Sequence, residues 1–322
     1  MQIEINRSNI FYSSLIIIQC IIFGFSFIVV KSLLDVGMSA FLLITVRFTI
    51  GALFLFAFSK GLNCFPKMIK KLGKNRNFKR SEFINGIIAG AVLFTGFAFQ
   101  TVGAETTTPA KNGLFTDLFV IFVPIITMIY FTKKLSIKPL SLAVLAFIGV
   151  MFVINIFADN VSLAIGDLLS IFCGVAFAIH FIILEKFTIA YNERERLNPY
   201  NFTVIQLITV AVLGMIFSIC MESITYSTID WKQTLGWLIF LGVLSSAIAY
   251  LLQFWAQEKI SANTTSVLSC SEAIFALIFA LAFGFDEFSW LFIVGAILLI
   301  TAMILSSINP TKEVIFVEGK DK

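Results

Sequence analysis

Residues 8–30 form an uncharged apolar run, SNIFYSSLIIIQCIIFGFSFIVV. A helix needs about 20 apolar residues to cross the hydrocarbon core of a bilayer, so this run is long enough to span a membrane. The run is followed by Lys31 and Asp35 rather than by a small-residue cleavage site. These flanking residues favour a retained first membrane span over a removable signal peptide.

The composition of the whole chain agrees with a membrane protein. The 322 residues are 59% hydrophobic and 13% charged, whereas soluble proteins carry about 25% charged residues. A net charge of +4 is too weak for a nucleic-acid partner. The five cysteines lack CxxC spacing, which argues against a disulfide framework and against a metal site. We therefore expect a polytopic protein surrounded by membrane lipids, with no metal, no cofactor and no nucleic acid.

Nine further apolar segments follow the first run. Because backbone polar groups in lipid must be hydrogen-bonded within the segment, we expect all of them to be helical. The fold class predicted is an all-α polytopic membrane protein with ten transmembrane helices. Six segments are uncharged and cover 83–104, 139–158, 168–184, 197–221, 233–257 and 288–311. Three hold internal charge and cover 36–59 with Arg47, 109–132 with Lys111 and Asp117, and 260–285 with Glu272.

The distribution of basic residues predicts the orientation in the membrane. With ten spans, both termini lie on the same side. That side also carries every Lys and Arg except Lys31, Arg47, Lys111 and Lys232. By the positive-inside rule the basic side is cytoplasmic. We expect a multi-pass protein of the cytoplasmic membrane with both termini in the cytoplasm.

The chain contains a weak internal repeat, and each copy holds five predicted spans. Similar residues recur at offsets of 153 to 159 positions along the sequence. The matches are Phe23-Gly24 with Phe177-Ala178, Gln100 and Gly103 with Gln253 and Ala256, Leu135-Ser136 with Phe288-Ser289, and Arg47 with Gln206.

Five is an odd number, so the second copy must enter the membrane from the opposite side. This arrangement gives two inverted five-helix repeats, the architecture of many secondary transporters. The loop charges agree, because the loop after the second span is rich in Lys and Arg whereas its counterpart after the seventh holds only Lys232. Inverted repeats predict alternating access around a site near the membrane midplane, although some channels also contain them.

Several short motifs occur in a fixed order along the chain. The first half has Gly24-Phe-Ser-Phe-Ile-Val-Val-Lys31, Arg47-Phe48, Phe99-Gln100-Thr-Val-Gly103-Ala, Thr106-Thr-Thr-Pro-Ala-Lys-Asn-Gly113 and Phe122-Val-Pro124. The second half has Gln253-Phe-Trp-Ala256, Ser261-Ala-Asn, Ser271-Glu272-Ala and Asp286-Glu287-Phe-Ser289. In their order and spacing, these motifs resemble the EamA-type transporters of the drug/metabolite transporter superfamily.

Two positions depart from that family's pattern. Phe23 stands where the family commonly has Trp, and Ala273 follows Glu272 where the family usually has Pro. The substrate preference of any one member therefore does not transfer to this chain.

The resemblance implies a domain organisation and a class of function. It divides the chain into a first repeat at 5–158, an inverted second repeat at 165–310 and a cytoplasmic tail at 311–322. It implies a carrier of small organic metabolites, often an exporter and not an enzyme. The central cavity of such a carrier is lined by the first four helices of each half.

Polar residues within the spans are the candidates for that cavity. An ionisable residue at membrane depth costs about 2.5 to 3.5 kcal/mol on insertion scales, so it usually faces a cavity or a partner. Arg47 could hold a substrate carboxylate or form a fixed ion pair. Asp117 and Glu272 are the proton-coupling candidates, with hydrogen bonding inside the bundle as the alternative. The predicted cavity-lining or substrate-binding residues are Gln19, Ser26, Arg47, Gln100, Asn112, Asp117, His180, Gln253 and Glu272.

These observations predict a secondary transporter that exports a small organic metabolite, such as an amino acid, by alternating access, with protons as the candidate coupling ion. The chain lacks a G-x-x-x-x-G-K-[ST] loop, which disfavours ATP-driven pumping. Translocation of a lipid-linked sugar between leaflets is the alternative, and a channel or sensor is a further one.

Overall fold

The computed structural model describes residues 7–61, 80–107, 109–130, 137–156, 164–192, 198–222, 230–284 and 288–308. The predicted tail at 311–322 and most of the basic loop that follows the second span lie outside these ranges. We number the helices by membrane span and give the letters a and b to the two pieces of a divided span.

The first half contains α1 to α5. These helices are α1 at Arg7–Asp35, α2 at Ala40–Gly61, α3 at Arg80–Thr106, α4a at Pro109–Thr116, α4b at Phe119–Tyr130 and α5 at Ile137–Val153. The second half contains α6 to α10. They are α6 at Ile165–Asn192, α7 at Pro199–Met221, α8a at Trp231–Ile239, a π-helical segment at Phe240–Ile248, α8b at Ala249–Gln257, α9a at Ala262–Ser269, α9b at Ser271–Ala282 and α10 at Trp290–Ile308.

The described ranges contain nine helical spans that are long and apolar enough to cross a membrane. The tenth span, α5, is an apolar helix of 17 residues. At 1.5 Å per residue it is about 25 Å long, close to the thickness of the hydrocarbon core. The prediction of an all-helical membrane protein with ten spans is confirmed.

Corresponding helices of the two halves run in opposite directions. Glu222 follows the end of α7, and its carboxylate accepts hydrogen bonds from the backbone N–H groups of Phe41 (2.6 Å) and Leu42 (3.0 Å) at the start of α2. The start of α2 therefore meets the end of α7. We call the end of the bundle at which α1 begins the N-face; α3, α5, α7 and α9 begin there as well.

The same antiparallel pairing relates α5 to α10. A Cβ added at Gly295 would lie 2.5 Å from the carbonyl oxygen of Gly149 and 2.5 Å from the backbone nitrogen of Val153. A Cβ at Gly149 would lie 2.8 Å from the Leu299 side chain. Gly149 and Gly295 thus pack on each other where α5 and α10 cross, and the two halves are inverted repeats.

A contact that the third helix of one half makes with the second helix of the other half has a symmetry-related counterpart. Gly90 of α3 packs against the Gln206 carbonyl oxygen and Thr209 of α7. Its counterpart Gly242 in the π-helical segment packs against the Arg47 carbonyl oxygen and Ile50 of α2. The sequence match of Arg47 with Gln206 therefore relates residues in equivalent places.

A second exchanged contact fixes the register of α4 and α9. A Cβ at Gly174 of α6 would lie 2.9 Å from the carbonyl oxygen of Thr116 in α4a. The equivalent residue in α1 is Cys20, whose Sγ lies 3.6 Å from the carbonyl oxygen of Ser269 in α9a. Thr116 and Ser269 are 153 positions apart, the same offset that relates Gln100 to Gln253.

We expect Gly295→Ala to destabilise the bundle, because backbone atoms of α5 occupy the space that the new methyl group needs. Overpacking of this kind costs about 1 to 3 kcal/mol. Thermal unfolding of the detergent-solubilised protein should give a lower Tm for this variant.

Gly236→Ala is the matched control, since a Cβ at this exposed position meets nothing within 4 Å. Alanine favours a helix over glycine by about 1 kcal/mol, so this variant should not lower the Tm. Equal Tm changes in the two variants would contradict close packing at the α5–α10 crossing.

Candidate functional site

The two halves enclose a cavity whose empty space, including the part open to solvent, is about 900 Å³. Residues of α1, α2, α3, α4, α6, α8 and α9 line it, so both repeats contribute. Eight of the nine residues singled out in the sequence lie on its wall. They are Gln19, Ser26, Arg47, Gln100, Asn112, His180, Gln253 and Glu272.

Asp117 is the exception among the nine. It lies in the two-residue break between α4a and α4b, where it is buried but does not line the cavity. The equivalent position in the second half is Cys270, in the break between α9a and α9b. Glu272, two residues beyond that break, is half-buried and faces the cavity. The two carboxylates thus occupy neighbouring but different places in their repeats.

Arg47 is a buried cation held by two hydroxyl groups. Its Nε donates to Ser246 Oγ at 3.1 Å and its Nη2 donates to Ser245 Oγ at 2.9 Å. The guanidinium carbon also lies 4.8 Å from the ring centroid of Phe97 and 5.2 Å from that of Phe48, within cation–π range. Among the described residues, no carboxylate lies within ion-pair distance of Arg47.

The two serines belong to the π-helical segment of α8. A π-helical turn is rare, and such turns occur often at functional sites. Here the segment presents two consecutive hydroxyl groups to one guanidinium. Gly242 and Gly51 allow the close approach, since a Cβ at Gly51 would lie 2.7 Å from the Gly242 carbonyl oxygen.

Two of the five N–H donors of the guanidinium are used by the serines. Further donors are available to a ligand in the cavity. Because a guanidinium binds carboxylates in a planar, bidentate manner, the Arg47 end of the cavity suits an acid group.

Buried amide side chains form another part of the cavity wall. Gln19 Nε2 donates to Gln253 Oε1 at 3.1 Å, and Asn112 Nδ2 donates to the Gln100 carbonyl oxygen at 2.8 Å. The oxygens Gln19 Oε1 and Asn112 Oδ1 are both buried and have no hydrogen-bond partner among the described residues. Buried acceptors of this kind suit the N–H groups of a bound ligand, because an unsatisfied polar atom costs about 1 to 3 kcal/mol.

His180 and Tyr250 also line the cavity wall. His180 Nε2 lies 3.1 Å from Gln206 Nε2, so the imidazole is hydrogen-bonded to the residue that corresponds to Arg47. The rings of His180 and Tyr250 meet edge to face with centroids 6.0 Å apart. The remaining wall is aromatic and consists mainly of Phe23, Phe97, Phe119, Phe177 and Phe181.

Sequence reasoning missed several lining residues, including Tyr250, Lys31, Thr116 and Ser269, and it missed the serine pair that holds Arg47. Two signals were present. Tyr250 precedes Gln253 by three residues and therefore shares its helix face. Ser245 and Ser246 are adjacent hydroxyl residues within an apolar span.

The site contains no metal-binding constellation in the part of the chain that the structure describes. Groups of three or more His, Cys, Asp or Glu side chains with metal-binding geometry are not found within those ranges. The polar groups of the cavity instead suit an organic ligand with an acid group, N–H donors and an apolar body.

Two relatives of this chain are named as transporters. The chain is 28% identical over 291 residues to an "Uncharacterized transporter" of Archaeoglobus fulgidus, a match that covers 90% of this chain and 83% of the relative. It is 22% identical over 241 residues to the "Uncharacterized transporter YoaV" of Bacillus subtilis, and this match covers 74% of this chain and 79% of the relative.

A solved structure titled "Crystal structure of protein" shares the fold. Its TM-score is 0.66 at 16% identity, and the alignment covers 94% of this chain and 98% of the other. The sequence profile of the EamA-like transporter family matches residues 10–155 and again residues 164–308, one match for each half. The chain belongs to the EamA-like transporter family.

Proposed function

We propose that this transporter exports a small organic zwitterion, such as an amino acid, across the cytoplasmic membrane by alternating access. The observation that carries the proposal is the buried Arg47, which has no carboxylate partner within ion-pair distance among the described residues. Glu272 lines the same cavity as Arg47.

The cavity has complementary groups for both charges of a zwitterion. Arg47 offers donors to a carboxylate, while Glu272, Gln19 Oε1 and Asn112 Oδ1 offer acceptors to an ammonium group. The aromatic wall provides apolar surface for a side chain. This set of groups supports a substrate that carries both an acid and an amine.

The inverted repeats support alternating access. Two copies of one fold with opposite orientation can exchange conformations, and the exchange moves the opening of a central cavity from one face to the other. The cavity lies between the halves, where such an exchange would act. The excess of basic residues in the loops at the N-face supports a cytoplasmic N-face by the positive-inside rule.

Glu272 is the better placed of the two proton-coupling candidates. A carboxylate in the cavity can contact both the substrate and water, whereas Asp117 lies behind the wall. If Glu272 bound a proton in one state and released that proton in the other, export would be coupled to the proton gradient. Asp117 would act by adjusting the break in α4.

We expect Arg47→Gln to reduce efflux strongly. The substrate is identified first, by comparing the metabolites released from cells that overproduce the protein with those from cells that lack it. Loss of a charged hydrogen bond costs about 1.5 to 3 kcal/mol, so kcat/KM should fall about tenfold or more. Lys138→Gln, an exposed change at the start of α5, is the control and should leave efflux intact. Release of only uncharged compounds would exclude a zwitterionic substrate.

We expect Ser245→Ala and Ser246→Ala to raise the KM for the exported compound while kcat changes little. Each change removes one hydrogen bond that orients the guanidinium, worth about 1 kcal/mol, so KM should rise about fivefold. The conservative variants Ser245→Thr and Ser246→Thr keep the hydroxyl group and should restore KM. A fall in kcat with unchanged KM would contradict a role in carboxylate binding.

We expect Glu272→Gln to lose the dependence of uphill transport on an imposed pH gradient in proteoliposomes. Substrate exchange between the two sides should persist, because exchange needs no net proton movement. Asp117→Asn should retain gradient dependence at a lower rate. If uphill transport by Glu272→Gln depends on the gradient as it does in the unmodified protein, Glu272 is not the coupling residue. If the unmodified protein shows no gradient dependence, it is a facilitator rather than a proton-coupled carrier.

A further inference from the structure

Buried hydrogen bonds join α6, α8b and α9a near the N-face, and the side chains that form them do not line the cavity. Glu185 Oε2 accepts from the backbone N–H of Ala262, the first residue of α9a, at 2.9 Å. Gln257 Nε2 donates to the Phe181 carbonyl oxygen at 3.1 Å, and Thr188 Oγ1 donates to the Gln257 carbonyl oxygen at 3.0 Å. A carboxylate at a helix N-terminus is favourable for hydrogen bonding and for the helix dipole.

The equivalent residues at the opposite face line an open cavity. The repeat relates Phe181 to Phe27, Glu185 to Lys31 and Gln257 to Ala104. Phe27, Lys31 and Ala104 all lie on the cavity wall near the ends of α1 and α3. The corresponding helices are therefore joined by hydrogen bonds in one half and line the cavity in the other. The lining residues reach toward the opposite face, whereas Glu185 and Gln257 near the N-face do not line the cavity.

The chemistry of the two ends differs although the fold is repeated. Pro109, the counterpart of Ala262, has no backbone N–H to donate, and Lys31 has an ammonium group, which cannot accept a hydrogen bond. Lys31 instead pairs with Asp35 at 3.0 Å on its own helix. Ala104 has no amide to match that of Gln257. The hydrogen bonds near the N-face have no counterpart available at the opposite face.

A chain of glutamines connects the cavity to these N-face contacts. Gln19 donates to Gln253 at 3.1 Å, and Gln253 Nε2 donates in turn to Gln257 Oε1 at 3.4 Å. Gln257 then donates to the Phe181 carbonyl oxygen. Gln19 and Gln253 line the cavity, so a ligand there touches the first members of the chain.

We propose that Glu185 and Gln257 form a latch that holds the N-face closed and makes the state open to the opposite face the resting state. The proposal rests on alternating access, and it adds which state the empty protein prefers and which residues set that preference. Breaking the latch lets the cavity open at the N-face.

Cysteine accessibility tests the latch without a substrate. The native cysteines are replaced by alanine or serine, and Ser269→Cys introduces one thiol on the cavity wall. A membrane-impermeant maleimide is added to right-side-out or inside-out vesicles. Lys138→Cys, an exposed position at the start of α5, reports which vesicles present the N-face.

With the latch intact, labelling at Ser269→Cys should be faster from the opposite face than from the N-face. Glu185→Ala should raise the N-face rate about tenfold, a population shift of about 1.4 kcal/mol. Glu185→Gln should give a smaller increase, because its amide oxygen still accepts the N–H bond without the charge. An unchanged N-face rate in a folded Glu185→Ala protein overturns the proposal.

Glu82→Ala is the matched control. Glu82 also lies at the N-face, where it accepts from the Asn198 backbone N–H at 2.8 Å and from Asn201 Nδ2 at 3.0 Å. It caps α7 and does not line the cavity. We expect a lower Tm without a change in sidedness. An equal rise in N-face labelling would mean that any lost cap loosens this face, and the latch would be rejected.

The triple variant Lys31→Glu, Ala104→Gln and Pro109→Ala tests the proposal independently. Pro109 is replaced because it corresponds to Ala262 and has no backbone N–H to donate. The triple variant transfers the latch chemistry to the opposite face while Glu185 stays intact. Labelling of Ser269→Cys from the opposite face should fall severalfold. If labelling there is unchanged in the folded protein, these residues do not set the preference. Because none of these readouts measures flux, failure of the latch is distinguishable from failure of the proposed export.

Discussion

The antiparallel contact between corresponding helices is the constraint on which the cavity depends. The α2–α7 and α5–α10 pairs each join one half to the other, and glycines allow close approach where α5 crosses α10. In lipid there is little hydrophobic force between helices, so close packing and polar contacts must supply the association. These pairs hold the halves in inverted register, and α1, α3, α4, α6, α8 and α9 surround the cavity together with Arg47 of α2.

Arg47 shows how this scaffold supports a charge within the membrane. Its helix, α2, also carries Gly51, which packs on α8, so the positioning of the charge and the assembly of the halves depend on the same contact. The serine hydroxyls and two aromatic faces surround the guanidinium without neutralising it. An acid partner would stabilise the bundle more simply. Its absence among the described residues supports the proposal that Arg47 binds a ligand rather than a structural partner.

The sequence predicted most of the fold because membrane spans need long apolar segments and inverted repeats need opposite charge patterns. The repeat also paired Arg47 with Gln206, and the glycine contacts of the structure agree. The position of Asp117 relative to the cavity was not predictable from the sequence, because a charged residue at a break in a helix can face the cavity or pack behind its wall. The π-helical segment and the Ser245–Ser246 contacts were not predictable, since both depend on how α8 approaches α2 in three dimensions.

If the two inverted repeats were identical, the state open to one face and the state open to the other would have equal free energies. Divergence at a few positions such as Glu185 and Lys31 removes that equivalence. If one end state is lower in free energy, the unoccupied carrier waits facing one compartment, and solutes there meet a ready site while solutes on the other side meet only the rare state. Substitution at a pair of side chains can then change the apparent affinity for solute on each side while the architecture of the bundle stays as it is, and the solute and ion gradients still set the direction of net transport.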